Sequence, residues 1–434
     1  MIQVVAPRSV LTTRRAIPRL TRFVSHPVCL AVIAGALPVL AAASVPDSTY
    51  RLLWRTPKYV VSSDVRVGLA LAATFAFGAV VGIRSRWRGL PESLNTPRAA
   101  QRAGRASQLL LQIGIAAYLI WFVIGVMRGL APGEALSALS GSRGGISLLK
   151  DRYLRPIAGV TTFIQLTPPG AALALYSRRI QGHWSPQLRR LFVAALLCTI
   201  VRAFLYAERL ALLEVMVPLL LIYSATAAES KSSPNLGRRT LLRQAVGAVA
   251  VSTIYPIQEY YRSWLPYYRG TYDGSFSSYI WARLAGYYIT AVNNSSVTIH
   301  LVDPSPGRVI LRSAYEFPIV GSMLFPSGDR TSMSSVLGTY ANPEFNNPGG
   351  LLALYADIGK FAFVPVFVTG LLIGHVYGRV VTGGGPIIVV YGTLIIAMLE
   401  MSRIPYLALP RGLIPIVSAV VAFRWIAADR RPIQ

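Results

Sequence analysis

The chain has 434 residues, 53% of them hydrophobic and 14% charged, with a formal net charge of +26. Soluble domains carry about 25% charged residues, so this composition excludes a solvated globular enzyme, and its wealth of aliphatic and aromatic side chains excludes disorder. The basic excess is not that of a nucleic-acid binder, because the arginines sit mainly in alternate loops between apolar runs.

A helix needs roughly 20 apolar residues to span about 30 Å of hydrocarbon. In chain order, runs near that length lie at Val28–Val45, Val65–Ile83, Ala106–Met127, Ile157–Tyr176, Leu191–Leu205, Leu210–Ala225, Gln244–Ile257, Gly350–Tyr377, Pro386–Met401 and Leu413–Ala427. The expected fold is therefore an all-α polytopic membrane protein with about ten transmembrane helices. Between the fifth and sixth runs, Tyr206-Ala207-Glu208-Arg209 reads as a tight turn. The first run ends in Ala41-Ala42-Ala43, which resembles a signal cleavage site, but the basic segment before it is long for a signal peptide, so it counts as a span.

With ten spans the basic clusters fall on one side: Arg8, Arg14, Arg15, Arg19 and Arg22; Arg84 to Arg105; Arg178/Arg179; Arg189/Arg190; Arg238/Arg239/Arg243; and Arg424/Arg430/Arg431. The positive-inside rule makes that side the cytoplasm and puts both termini there. The chain then divides into residues 1–257 with helices one to seven, a large extracytoplasmic loop at 258–349, and residues 350–434 with helices eight to ten. Cys29 and Cys198 both fall within spans, which argues against a structural disulfide or a thiolate metal site. The four histidines are scattered and do not form a metal motif.

The large loop opens with Glu259-Tyr260-Tyr261-Arg262-Ser263-Trp264-Leu265-Pro266-Tyr267-Tyr268-Arg269. Rings and arginines so dense suit an interfacial aromatic belt. They suit equally a sugar and phosphate platform, in which Tyr261, Trp264, Tyr267 and Tyr268 stack on sugars while Arg262 and Arg269 clamp phosphate oxygens. Phe276, Tyr279, Ile280, Leu284, Tyr287, Tyr288 and Val292 recur at helical spacing, which predicts an amphipathic helix on the membrane surface. His300 follows it, the one histidine expected on the outer side.

Charges inside apolar segments cost roughly 2.5 to 3.5 kcal/mol on insertion scales, so they should be paired or functional. Arg202, Glu208, Arg209 and Glu214 are such a group, and neutralisation of one another at the turn is the plainer account of them. Asp357, the Glu400/Arg403 pair and Arg411 are others, all placed toward the outer ends of their helices. Charges converging there from separate helices predict a polar cavity.

Three segments resemble the Wzy-type O-antigen polymerases, also called oligosaccharide repeat unit polymerases: Arg202-Ala-Phe-Leu-Tyr-Ala-Glu208-Arg209, Gly286-Tyr287-Tyr288 with Asn293 and Asn294 downstream, and Asn347-Pro-Gly-Gly followed by Leu354-Tyr355-Ala356-Asp357-Ile358-Gly359. The likeness covers residues 190 to 380. It implies a GT-C-like membrane glycosyltransferase in the bacterial cytoplasmic membrane, polymerising polyprenyl-pyrophosphate-linked repeat units on the extracytoplasmic side. Its partners would be those glycans, the bilayer, and a chain-length regulator or flippase, with no nucleic acid. Such chemistry needs cations for the departing pyrophosphate, here Arg202, Arg209, Arg262, Arg269 and Arg403, and a base for the acceptor hydroxyl, here Glu208, Asp357 or His300. No nucleotide, metal or other cofactor is implied. The alternatives are a polyprenyl-monophosphate-sugar glycosyltransferase, an O-antigen-type ligase leaning on His300, and a lipid-linked glycan flippase, which predicts related halves that the sequence lacks.

Overall fold

In the computed structural model, residues 19–85, 96–140, 142, 145–206, 208–227, 247, 249, 252–301, 309–311, 333–382 and 384–428 are described. Most of these residues are helical, and they contain no strand. Much of the expected seventh span, together with Arg8, Arg14, Arg15, Arg86, Arg88, Arg238, Arg239, Arg243, Arg430 and Arg431, lies outside them.

The helices, in chain order, are α1 (Pro27–Ser44), α2 (Asp47–Trp54), α3 (Ser62–Arg84), α4 (Pro97–Met127), α5 (Pro132–Leu139), α6 (Thr167–Gln181), α7 (Pro186–Leu205), α8 (Arg209–Ala227), α9 (Phe276–Leu301), α10 (Met333–Tyr340), α11 (Leu351–Thr382), α12 (Ile387–Leu399) and α13 (Pro410–Ala427). Five of them, α1, α3, α4, α11 and α13, are long and apolar enough to cross a membrane, and α12 is a shorter apolar helix. The chain is thus an all-α protein of membrane character. Exposed Leu119, Ile120, Val123, Val364, Leu372 and Val421 form the apolar outer faces that lipid would cover.

Small residues set the tightest packing. Gly78 and Gly82 on α3 face Gly370 and Gly374 on α11. A Cβ at any of the four would collide with a carbonyl oxygen across the interface, those of Phe367, Leu371, Phe75 and Ala79 respectively. Four-residue glycine spacing on both partners lets the two backbones approach as they do in membrane helix pairs. Gly374→Ala should therefore lower the unfolding temperature of the detergent-solubilised protein, with an overpacking cost of roughly 1–3 kcal/mol. An unchanged midpoint would rule out this close contact. Similarly, α4 and α6 are stitched by Ser107 Oγ donating to the Gly170 carbonyl and Ser177 Oγ to the Ala100 carbonyl, both at 2.7 Å.

Three segments depart from their sequence patterns. The run Ile157–Tyr176 reads as one span, but only Thr167–Gln181 forms a regular helix, after a short helical turn at Val160–Phe163 and a 3-10 turn at Ile164–Leu166. The run Gly350–Tyr377 reads as one span, but α11 breaks at Gly359, whose φ of +56° only glycine adopts readily. A 3-10 turn at Gly359–Ala362 follows. The α9 segment has the expected amphipathic pattern only in its first half, where Ser277, Ser278 and Trp281 are exposed and Tyr279 and Arg283 are buried. From Ile289 to Val297 every residue is buried, because α9 packs on α1, α2, α10 and the start of α11. Its polar residues there are anchors. Asn294 Nδ2 donates to the carbonyls of Phe345 and Asn347 at 2.7 and 2.8 Å, and the Asn293 amide clasps the Pro57 carbonyl and the Tyr59 N–H.

Candidate functional site

Two buried ion-pair networks meet at the turn between α7 and α8. The Tyr206 and Glu208 N–H groups donate back to the carbonyls of Arg202 and Ala203 at 2.9 and 3.0 Å, so the end of α7 is satisfied within the turn itself. Glu208 and Arg209, though adjacent in sequence, join different networks.

In the first network, Arg202 Nη2 lies 2.5 Å from one Glu208 carboxylate oxygen and the Arg411 guanidinium bonds the other. Arg411 Nε also lies 2.5 Å from Glu214, and the Tyr406 hydroxyl donates to Glu214 at 2.7 Å. Helices α7, α8 and α13 are thereby tied together through alternating charges.

The second network is centred on Glu259, whose side chain is fully buried. It takes Arg209 Nη1 at 2.8 Å and Arg283 Nε at 3.1 Å. The Arg209 guanidinium sits 4.7 and 4.4 Å from the ring centroids of Tyr255 and Tyr287, a double cation–π seat. Arg283 also bonds Glu344, which accepts the Tyr268 hydroxyl at 2.8 Å. Buried ions are costly unless paired and hydrogen-bonded, and this arrangement pairs each of them.

Burial pushes the Glu259 carboxyl up, but Arg209, Arg283 and Arg262 outweigh it and hold the group below the ordinary glutamate range. A depressed carboxylate contributes stability at neutral pH that is lost as pH falls through its lowered value. The unfolding temperature should thus fall on acidification below about pH 4.3, the ordinary glutamate value, and Glu259→Gln should flatten that acid limb in a thermal-shift titration. Tyr268 is pushed up to about 12 by burial and by the Glu344 carboxylate, so its phenol stays a neutral donor.

Between the networks lies a cavity of about 350 Å³. Its wall carries Lys150, Asp151, Tyr206, Glu208, Tyr261, Arg262, Tyr267, Arg283 and Glu344. Lys150 Nζ stands 5.2 Å from the Tyr206 ring. Cations, carboxylates and exposed rings thus share one polar hollow, a set able to hold a phosphorylated sugar and move a proton.

Of the residues singled out in the sequence, Glu208, Arg262, Tyr261 and Tyr267 line this cavity. Arg202, Arg209 and Tyr268 stand directly behind it, each bonded to a carboxylate of the networks. Trp264 is buried among Tyr272, Phe276 and Tyr279, so its ring holds up the aromatic segment from inside. Arg269 is exposed at the end of the π-helical turn Tyr260–Tyr268. Arg403 Nε pairs with Glu400 at 2.6 Å, beside the strand-like contact in which Gly349 and Gly350 N–H groups donate to the carbonyls of Arg403 and Ser402. Asp357 and His300 stand elsewhere. Asp357 accepts the N–H groups of Val309 and Ile310 at 3.1 and 3.0 Å. His300 Nε2 lies 3.0 Å from both oxygens of Asp64 at the start of α3.

Glu344 and Lys150 carried no mark in the sequence, Glu344 because it is a lone charge among uncharged neighbours and Lys150 because it sits in an ordinary mixed-charge run, Lys150-Asp151-Arg152. Glu259, Arg283 and Arg411 were visible as charges, but their partners lie 24 to 203 positions away. Among the described residues no three His, Cys, Asp or Glu side chains gather where a metal ion could sit. Comparison with family models, with curated proteins and with solved structures finds no match, so any function must be argued from this geometry and from the sequence.

Proposed function

We propose that the chain is a membrane glycosyltransferase of about ten spans, with both termini in the cytoplasm, that polymerises polyprenyl-pyrophosphate-linked oligosaccharide repeats on the extracytoplasmic side of a bacterial inner membrane. The observation that carries this reading is the cavity wall on which Lys150, Arg262 and Arg283 face Glu208 and Glu344 beside Tyr261 and Tyr267. The Wzy-like segments supply the reaction class.

In that reaction the acceptor hydroxyl oxygen bonds to the anomeric carbon of the donor glycan. The bond from that carbon to the pyrophosphate oxygen breaks, and its electron pair leaves on the pyrophosphate. Lys150 and Arg262 stabilise the charge that develops there. The hydroxyl proton passes to a carboxylate. Glu344 is the better placed to take it, because its side chain is 40% exposed and paired with one arginine, Arg283, whereas that of Glu208 is 17% exposed and held between two, Arg202 and Arg411. Asp357 then serves to hold the Val309 and Ile310 N–H groups, and Arg202, Arg209 and Arg403 hold carboxylates in position.

Two measurements test this. Purified protein given a synthetic lipid-linked repeat should form longer glycans without nucleotide; movement of the intact lipid across liposomes without elongation would replace the enzyme with a flippase. For the topology, a cysteine at Asp273 in a chain lacking Cys29 and Cys198 should react with an impermeant thiol reagent in intact cells, and one at Arg102 should not. The reverse pattern would invert the protein in the membrane. One observation favours a ligase as the second reading: the imidazole of His300, oriented by Asp64 and 40% exposed, is a ready general base. His300→Ala would then abolish transfer to a foreign acceptor, whereas a polymerase would keep elongating.

A further inference from the structure

A second cavity, of about 310 Å³, adjoins the first. The partition between them is built from Arg283, Glu344 and Tyr268. Arg283 lines both cavities, Glu344 the first and Tyr268 the second. The two adjacent tyrosines of the π-helical turn therefore serve different hollows, Tyr267 the first and Tyr268 the second.

The chemistry of the second cavity differs from that of the first. Arg283 is already matched by Glu259 and Glu344, and the other two charges on the wall, Arg55 and Asp273, have opposite sign. No cationic surplus awaits a phosphate. The rest of the wall is dominated by rings, with the Tyr268 and Tyr272 centroids 5.0 and 5.4 Å from that of Tyr279. Asn342 is fixed at the rim, its Nδ2 donating to the Trp54 carbonyl at 2.8 Å and its Oδ1 accepting the Glu344 N–H at 2.9 Å. Arg55 ends α2 in the left-handed region with φ of +49°, the one non-glycine residue with positive φ among those described. A non-glycine residue there is strained, and the side chain it places belongs to this wall.

Flat ring faces bordered by an arginine, a carboxylate and an amide, in a space within the range of small-ligand sites, match the alternating apolar faces and hydroxyl edges of a sugar. We propose that this second cavity binds an uncharged sugar unit, separately from the phosphate-binding cavity. Its use as the acceptor subsite rests on the polymerase reading, and the partition then puts Glu344 between a sugar on one side and a phosphate on the other.

Titration calorimetry on the full-length protein in detergent tests this with two probes: inorganic pyrophosphate, and the lipid-free oligosaccharide repeat released by hydrolysis from the producing cell's own surface polysaccharide. Tyr272→Ala should weaken oligosaccharide binding at least tenfold and leave pyrophosphate binding within twofold, which also certifies that the variant is folded. Tyr272→Phe, which keeps the ring, should bind the oligosaccharide within twofold of the parent. Arg262→Ala should do the opposite of Tyr272→Ala. No oligosaccharide binding by the parent protein, or equal binding by Tyr272→Ala, overturns the subsite. Oligosaccharide binding that depends on Tyr272 in a protein that ignores pyrophosphate leaves the subsite standing and removes the pyrophosphate-donor reading instead.

Discussion

Glu259→Ala should cost on the order of 3–5 kcal/mol of stability, the usual consequence of removing one member of a buried ion pair. The carboxylate is 0% exposed and is the only acidic group within salt-bridge distance of Arg209 among the described residues. Without it Arg209 keeps two tyrosine faces and no counter-ion, while Arg283 retains Glu344. Chemical unfolding in a defined detergent, with helicity as the readout, measures the loss. Replacing Glu259 by Leu together with Arg209 by Met should recover much of it, because well-packed apolar substitutes for a buried ion pair are often neutral or better. If the chain polymerises glycans as proposed, that double variant should nevertheless elongate them poorly, since Arg283 and the cavity wall would lose the carboxylate that positions them. A single-variant cost below about 1 kcal/mol, the worth of an exposed pair, would mean that water reaches Glu259 and that the network is not the buried frame of the site.

The five helices long and apolar enough to cross a membrane were each legible in the sequence as apolar blocks bounded by charges or prolines, and the break between Leu205 and Arg209 was legible because charged residues interrupt an apolar run. The break in α11 was not. Gly359 sits between Asp357 and Lys360, charges that read as the outer end of one long apolar run, and only its positive φ marks it as the point where the helix breaks. The second half of α9 misleads for a different reason. Asn293, Asn294, Ser295 and Ser296 interrupt the apolar spacing, yet all four are buried and bonded to carbonyls, several of them in the loops around residues 57 and 345–348. Helical periodicity says which side of a helix is apolar but not which other helix, or which loop carbonyl, will face it. The ion pairs have the same property: Glu208, Arg209 and Arg202 were recognisable as costly charges, but their bonds to Arg411 and Glu259 are set by how α8 and α13 pack and by where the 252–259 segment enters.

If the proposed polymerisation holds, Arg262 is the cation whose removal should most reduce turnover. It lines the cavity, is only partly buried, and approaches Glu259 without taking a place in the ion pairs that Arg209 and Arg283 make with it. Arg202, Arg209 and Arg411 each have a carboxylate within 2.8 Å, so their charge is largely committed before any substrate arrives. Arg262 can swing its guanidinium onto a phosphate without breaking such a bond. If it stabilises the leaving pyrophosphate, Arg262→Ala loses about 3 kcal/mol of transition-state stabilisation, a fall in kcat of more than a hundredfold, with the protein still folded. Arg262→Lys should recover only part of this, because an ammonium is a point charge and cannot offer the planar two-pronged donor. Arg190→Ala, at an exposed position on α7, should elongate as the parent does and controls for lost net charge. The kinetic form of the defect separates two roles: a raised KM with unchanged kcat means that Arg262 only helps bind the lipid-linked donor, whereas a fall in kcat at saturating donor places it on the bond that breaks.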